Sequence, residues 1–154
     1  MSNRRQLVAE LGGVLQRYQR AVHAYDDAVG RALSLGPAEV RCLDRLAEGA
    51  TTAGELAAAT GLRPAATTAL VDRLVARGWV ERGGADADRR KVLIRMTAIG
   101  ARITYAYYAP LMATANEVFE GVDESALEMM SLVLERMRIV TDRLRHDVRD
   151  IEAH

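Results

Sequence analysis

Three adjacent cations, Arg89, Arg90 and Lys91, follow Asp86 and Asp88 in a polar stretch between two short β-patterned segments, Trp79 to Arg82 and Val92 to Met96. Strands flanking a polar loop read as a hairpin. A hairpin tip carrying cations has one chemistry open to it, attraction to the sugar-phosphate backbone or to a narrow minor groove. Asp88 can hold the arginine pair through a charge-assisted hydrogen bond when no nucleic acid is present. The plainer alternative is a solvated loop that keeps an exposed hairpin from pairing edge to edge. Catalytic chemistry has no comparable candidate. The sequence offers no Ser/His/Asp set and no glycine-rich phosphate loop, and His23, His146, His154 and Cys42 are too scattered for a zinc site. No enzyme, metal or cofactor is expected.

The residues before the hairpin supply the element that such cations would accompany. Thr52-Ala-Gly-Glu55 is a capping box opening a short helix from Ala53 to Thr60, which Gly61 ends. A further helix runs from Pro64 to Arg77 and stops at Gly78, with Thr67, Leu70, Val71 and Leu74 on its inward face. Ala57 is small where the two helices cross, and Gly61 suits a turn that needs positive φ. This is the helix-turn-helix arrangement, whose second helix fits a major groove. Its outward face carries Ala65, Thr68, Ala69 and Asp72. Thr67 belongs inward, with its hydroxyl returned to a carbonyl one turn back.

The chain has 154 residues, 49% hydrophobic and 27% charged, which places it among globular domains. No apolar run reaches roughly eighteen residues, the length a transmembrane helix needs. No secretory signal follows the polar start, and a single cysteine suits a reducing compartment, so the expectation is cytoplasmic. The net charge of zero conceals segregation: residues 51–103 carry nine Lys/Arg against five acids, whereas 104–154 carry five against ten. A basic middle is where a phosphate backbone would be drawn.

Both ends read as long amphipathic helices. Leu7, Leu11, Val14, Tyr18, Ala21, Tyr25 and Ala28 recur at alternating spacings of four and three, and so do Leu127, Met130, Leu134, Met137, Thr141, Leu144, Val148 and Ile151. Such narrow seams pack on each other within one chain or interlock with a second copy, and their length favours the second copy. After a break at Leu35-Gly36-Pro37, a helix to about Glu48 turns Val40, Leu43 and Ala47 inward. Thr97 caps a helix from Ala98 to Glu120, which Pro110 should kink or divide. Cys42 reads as a small buried residue, Trp79 as wing core and the methionines as seam filler.

From Gly36 to Gly100 the sequence resembles the winged helix-turn-helix of the MarR family of bacterial transcription regulators. The matching pieces are Gly54 to Ala57, Gly61-Leu62, Leu70 to Leu74, Arg77 to Val80, Asp86 with Asp88-Arg89-Arg90, and Arg95 to Gly100. The resemblance implies a mainly α fold with a small β-hairpin wing and long N- and C-terminal dimerisation helices. Residues 1–34 would form the first of these, 35–100 the DNA-binding domain and 101–154 the remaining dimerisation helices. It makes Pro64 to Arg77 the recognition helix and the wing its companion. DNA contacts then fall to Arg63, Pro64, Ala65, Thr68, Ala69 and Arg73, with Arg89, Arg90 and Lys91 on the wing. Leu7, Leu11, Val14, Leu127, Met130, Leu134, Met137, Leu144 and Val148 would form the homodimer seam. The helix departs from the commoner pattern in its first turns, where polar or basic residues are frequent. Ala65 and Ala69 can pack on thymine methyls, and shape and backbone contacts would carry much of the affinity.

Family members commonly hold small aromatic ligands between the dimer helices and the DNA-binding lobe. Tyr18, Tyr25, Tyr105 and Tyr108 are the residues suited to such a pocket here, with aromatic packing at a helix junction as the alternative. The resemblance thus implies a homodimeric repressor on a pseudo-palindromic operator, with a small aromatic ligand as its candidate effector. A winged-helix protein-interaction module is the alternative.

Overall fold

The structure is a computed structural model; it describes residues 2–85 and 92–152, and the side-chain environments of 3–83 and 92–145. The chain divides into two compact units, Met1–Ala109 and Pro110–His154.

The first unit opens with a helix over Ser2–Leu33 (α1). Its apolar stripe is solvent-exposed at Leu7, Leu11, Val14 and Tyr18, and only near its end do Val29 and Gly30 become buried. A Cβ on Gly30 would stand 3.1 Å from the Leu35 carbonyl oxygen and 3.3 Å from Val40 Cγ2, so the absent side chain lets the chain fold back closely. The next helix, Pro37–Ala47 (α2), starts with Pro37 in its first turn, and the Gly36 amide donates to Glu39 Oε2 at 2.8 Å. Its buried residues are Cys42, Leu43 and Leu46. Ala47, expected inward, is exposed and Val40 half-buried, because the larger Leu46 gains more from burial and sets the rotation of the helix.

Thr51–Thr52 form a short strand (β1), followed by Ala53–Thr60 (α3) and Pro64–Ala76 (α4). Gly61 between the helices has φ 75°, the left-handed conformation the turn requires, and its amide closes on the Ala57 carbonyl at 2.9 Å. The expected inward set of α4 is confirmed: Thr67, Leu70, Val71 and Leu74 are all buried. Leu70, Val71 and Leu74 join Cys42, Leu43, Leu46, Leu56, Trp79, Val80 and Ile94 in one core.

Val80–Ala85 (β2) and Val92–Met96 (β3) make the wing. The sheet is antiparallel in the order β1-β3-β2, with Thr51 opposite Ile94 and Val80 opposite Met96. The third strand was not expected: two residues show no alternation, and Thr52 already reads as a cap. Both roles hold, so one residue ties the helix-turn-helix to the wing. Trp79 is buried in the core, as expected of it.

A helix over Ala98–Val118 (α5) follows, with the Gly100 amide donating to Thr97 Oγ1 at 3.1 Å as the cap requires. Pro110 lies inside this helix without dividing it, since a proline withholds one amide and the neighbouring ladder carries the helix on. In the second unit Glu124–Glu152 forms α6. Leu127 is half-buried, whereas Met130, Leu134, Met137 and Leu144 are exposed. The Val148 side chain lies outside the described environments. Among the described residues no helix is long and apolar enough to cross a membrane.

Candidate nucleic-acid interface

The helix-turn-helix is locked at both of its openings. The Thr52 hydroxyl accepts from the Glu55 amide at 3.3 Å, and the Thr52 amide donates to Glu55 Oε2 at 2.8 Å. The Thr51 hydroxyl donates to the same carboxylate at 2.7 Å. These donors, Thr51 first, pull the Glu55 carboxyl down to about 2. Arg41 Nη2 donates to the Thr60 carbonyl at 3.2 Å, closing the other end of α3 against α2. The Thr67 hydroxyl returns to the Arg63 carbonyl at 3.1 Å, so it takes no part in a surface.

With Thr67 and the leucines inward, α4 presents Ala65, Thr68, Ala69 and Asp72 to solvent. Arg63 is its N-cap residue, exposed and without an ion-pair partner among the described residues, and Pro64 occupies the first turn. Thr68 donates its hydroxyl proton to the Pro64 carbonyl at 3.1 Å, which leaves its oxygen as an acceptor. An acceptor there suits the exocyclic amine of adenine or cytosine and not a carbonyl. The two alanines on either side keep this face flat and apolar.

Arg73 is differently placed from a free contact residue. Its Nε lies 3.0 Å from Glu39 Oε1, which ties α4 to the start of α2 while most of the guanidinium faces water. Arg82 of β2 pairs with Asp72 of α4 at 2.6 Å, and Arg95 pairs across the wing strands with Glu81 at 2.7 Å. Sequence alone gave no signal for the first of these, since the partners lie on different elements. A groove of about 380 Å3 separates α4 from the wing, lined by Ala53, Thr68, Val71, Asp72, Arg82, Val92 and Ile94. The wing-tip residues Arg89, Arg90 and Lys91, with Asp86 and Asp88, lie outside the described residues.

Of the four tyrosines proposed for a ligand pocket, two come together. The Tyr25 and Tyr108 rings meet edge to face at 5.8 Å between centroids. Their hydroxyls are already engaged, Tyr25 with the Tyr107 carbonyl and Tyr108 with Asp26 Oδ1 at 2.7 Å. Burial, then the bond to Asp26, raises the Tyr108 phenol. Tyr18 and Tyr105 are exposed, and no ring contact joins them to this pair among the described residues. The cleft nearby in the sequence is instead a charged one of about 560 Å3, with His23, Asp26, Asp27, Arg31 and Arg41 around Leu35, Pro37 and Val40. The i, i+4 recurrence of His23, Asp27 and Arg31 was the available sign of it.

Cys42 is fully buried, and burial, with the Glu39 charge second, pushes its thiol up to about 11. Among the described residues no group of His, Cys, Asp or Glu could hold a metal ion.

Comparison with known proteins agrees with this geometry. The MarR family matches residues 33–91. An uncharacterised HTH-type transcriptional regulator of Bacillus subtilis strain 168, YcgE, is 35% identical over 107 residues, covering 69% of this chain and 70% of that one. The structure is similar to that of a MarR family transcriptional regulator from Silicibacter pomeroyi DSS, at 29% identity and TM-score 0.57 over 78% of this chain and 83% of the other. A MarR family protein from Bacillus stearothermophilus shares the fold at TM-score 0.65 and 24% identity, over 88% and 96% of the two chains. The helix-turn-helix, the wing and these likenesses agree, and the chain belongs to the MarR family: it is a winged helix-turn-helix DNA-binding regulator of transcription and not an enzyme.

Proposed function

We propose that two copies of the chain bind one pseudo-palindromic operator, each laying α4 in a major groove and its wing against the neighbouring backbone, and that this occupancy represses transcription in the cytoplasm. The observation that carries the reading is the exposed face at the start of α4, with Arg63, Ala65, Thr68 and Ala69 directed away from the buried Thr67, Leu70, Val71 and Leu74. Arg63, and Arg89, Arg90 and Lys91 of the wing, supply the phosphate-directed charge, and Arg73 can turn outward from Glu39 to add to it. Half-sites about one helical turn apart suit two such helices related by a two-fold axis.

The dimer is supported by the apolar side chains that α1 and α6 leave in water. Leu7, Leu11 and Val14 are each half or more exposed, as are Leu134 and Leu144. Contiguous apolar stripes of this kind mark protein–protein interfaces. A small aromatic carboxylate has its best seat in the cleft between Arg31 and Arg41, with Leu35 and Val40 for its ring. It would release DNA only by preferring a spacing of the two recognition helices that mismatches the operator.

Salt tests the DNA reading. Affinity for duplex should fall steeply from low to moderate salt, and Arg89→Ala with Arg90→Ala should reduce the slope by about two phosphate contacts. Salt-independent behaviour would instead favour a winged-helix module that binds protein. Calorimetric titration of aromatic carboxylates into the protein tests the cleft, and Arg31→Ala should abolish any heat that is seen.

A further inference from the structure

Asp72 is the only acidic residue of α4, and it stands on the face proposed to meet DNA, in line with Ala65, Thr68 and Ala69. A bare carboxylate there would oppose the phosphates. It is not bare: Arg82 Nη1 lies 2.6 Å from Asp72 Oδ1, with the two side chains 37% and 57% exposed respectively. Both residues line the groove between helix and wing, so the ion pair bridges the groove's two walls.

The position of Arg82 in β2 gives the bridge its meaning. Arg82 opposite Ile94 is the last pairing in regular register; the next is Ala85 opposite Val92. Gly83 and Gly84 therefore face Leu93 alone, which is a β-bulge, and a bulge bends its strand and re-aims the residues beyond it. A Cβ on Gly83 would meet nothing within 4 Å, so the bend comes from the shift in pairing and not from close packing at the glycine. The strand thus departs from regular register immediately beyond Arg82, and the last regular pairing before that bend is tied to α4.

We propose that the Asp72–Arg82 pair is a positioning device for sequence discrimination: it fixes the base of the wing against the recognition helix, so that base edges and backbone are engaged together only in the right register. The proposal rests on the DNA-docking reading above. It makes a prediction opposite in sign to simple electrostatics. Removing an anion from a DNA-facing surface should tighten binding to every duplex equally; removing a positioning tie should weaken the selected site and leave other DNA bound as well or better.

The experiment compares two duplexes of equal length, one selected by the wild-type protein from random sequence and one unrelated, by fluorescence anisotropy at a single salt concentration. Asp72→Asn is expected to lower the ratio of the two affinities about five-fold, the size of one well-made exposed ion pair. Arg82→Gln should lower it equally, the double variant no further, and Asp72→Glu, which keeps the charge, should restore most of it. Each ratio is taken on one preparation, so a loss of folded fraction cancels. An unchanged or increased ratio in Asp72→Asn overturns the proposal, and so does a loss confined to Arg82→Gln, which would make Arg82 a phosphate contact. A wild-type protein that selects no sequence would instead overturn the reading on which the proposal stands.

Discussion

The Arg77 guanidinium lies over the Trp79 ring, 3.9 Å from its centroid. From there its two terminal nitrogens donate to the last carbonyl of α1, Leu33 at 2.8 Å, and to that of Ser34 just beyond it at 3.3 Å. Ser34 has φ 53°, a conformation that side chains other than glycine rarely adopt, so the arginine holds the turn that most needs holding. Arg77 is itself the C-terminal cap of α4. One side chain therefore joins the end of α4, the helix proposed to recognise DNA, to the end of α1, the helix proposed to carry the dimer seam.

Removing it should cost stability. Arg77→Ala is expected to lower the unfolding free energy by about 1–2 kcal/mol, from one exposed cation–π contact and two charge-assisted bonds. Arg77→Lys should recover less than half, because an ammonium cannot fork to two carbonyls while lying flat on indole. Urea unfolding curves with unchanged slope decide it, and a fully wild-type midpoint for Arg77→Lys would contradict this role.

Gly100 faces a tighter constraint. A Cβ there would fall 2.2 Å from the Trp79 carbonyl oxygen and 3.0 Å from Met96 Cγ, so the start of α5 or the Trp79 backbone must move. Gly100→Ala improves helix propensity and should still destabilise by about 1–3 kcal/mol, since overpacking outweighs propensity. A thermal midpoint several degrees lower is expected, and an unchanged or raised midpoint would refute the close approach.

The capping box should be visible in the pH dependence of stability. Glu55 titrates near 2 in the folded chain against an ordinary 4.5, so its ionised form contributes stability that is fully present above about pH 4.5 and lost as pH falls through about 2. The difference in melting temperature between wild type and Glu55→Gln should shrink across that window. Thr52→Ala, which removes the helix cap, should cost about 1 kcal/mol at neutral pH. A Glu55→Gln difference that stays constant down to pH 2 would show the hydrogen bonds to be absent.

Cys42 should be inert in the native protein. It is fully buried, and its thiol is held at about 11, so thiolate is scarce at neutral pH. Labelling by a thiol-specific dye should proceed only as fast as the core opens, and denaturant should speed it greatly. Rapid stoichiometric labelling of folded protein would place the thiol nearer the surface.

How far the sequence could be read depends on the range of the interactions. The inward face of α4, the cap at Thr52 and the turn at Gly61 depend on neighbours within a few residues, and all were legible. Ala47 and Leu46 are adjacent, and choosing between them needed the shape of the core they enter. The strand at Thr51 depends on Ile94, far along the chain, and has no local periodicity. The ion pairs of Arg73 with Glu39 and Arg82 with Asp72 join separate elements, so no spacing announced them. The tyrosines gave composition without placement: Tyr25 meets Tyr108 across most of the first unit's sequence, whereas Tyr18 and Tyr105 face solvent.

In the proposed complex two chains grip one duplex. Sedimentation of the protein alone and with an excess of its selected operator measures this directly. A dimer at micromolar concentration and a complex of two chains per duplex are expected, with Leu11→Asp and Leu134→Asp abolishing both. A monomer that binds the same duplex one to one with undiminished affinity would contradict it.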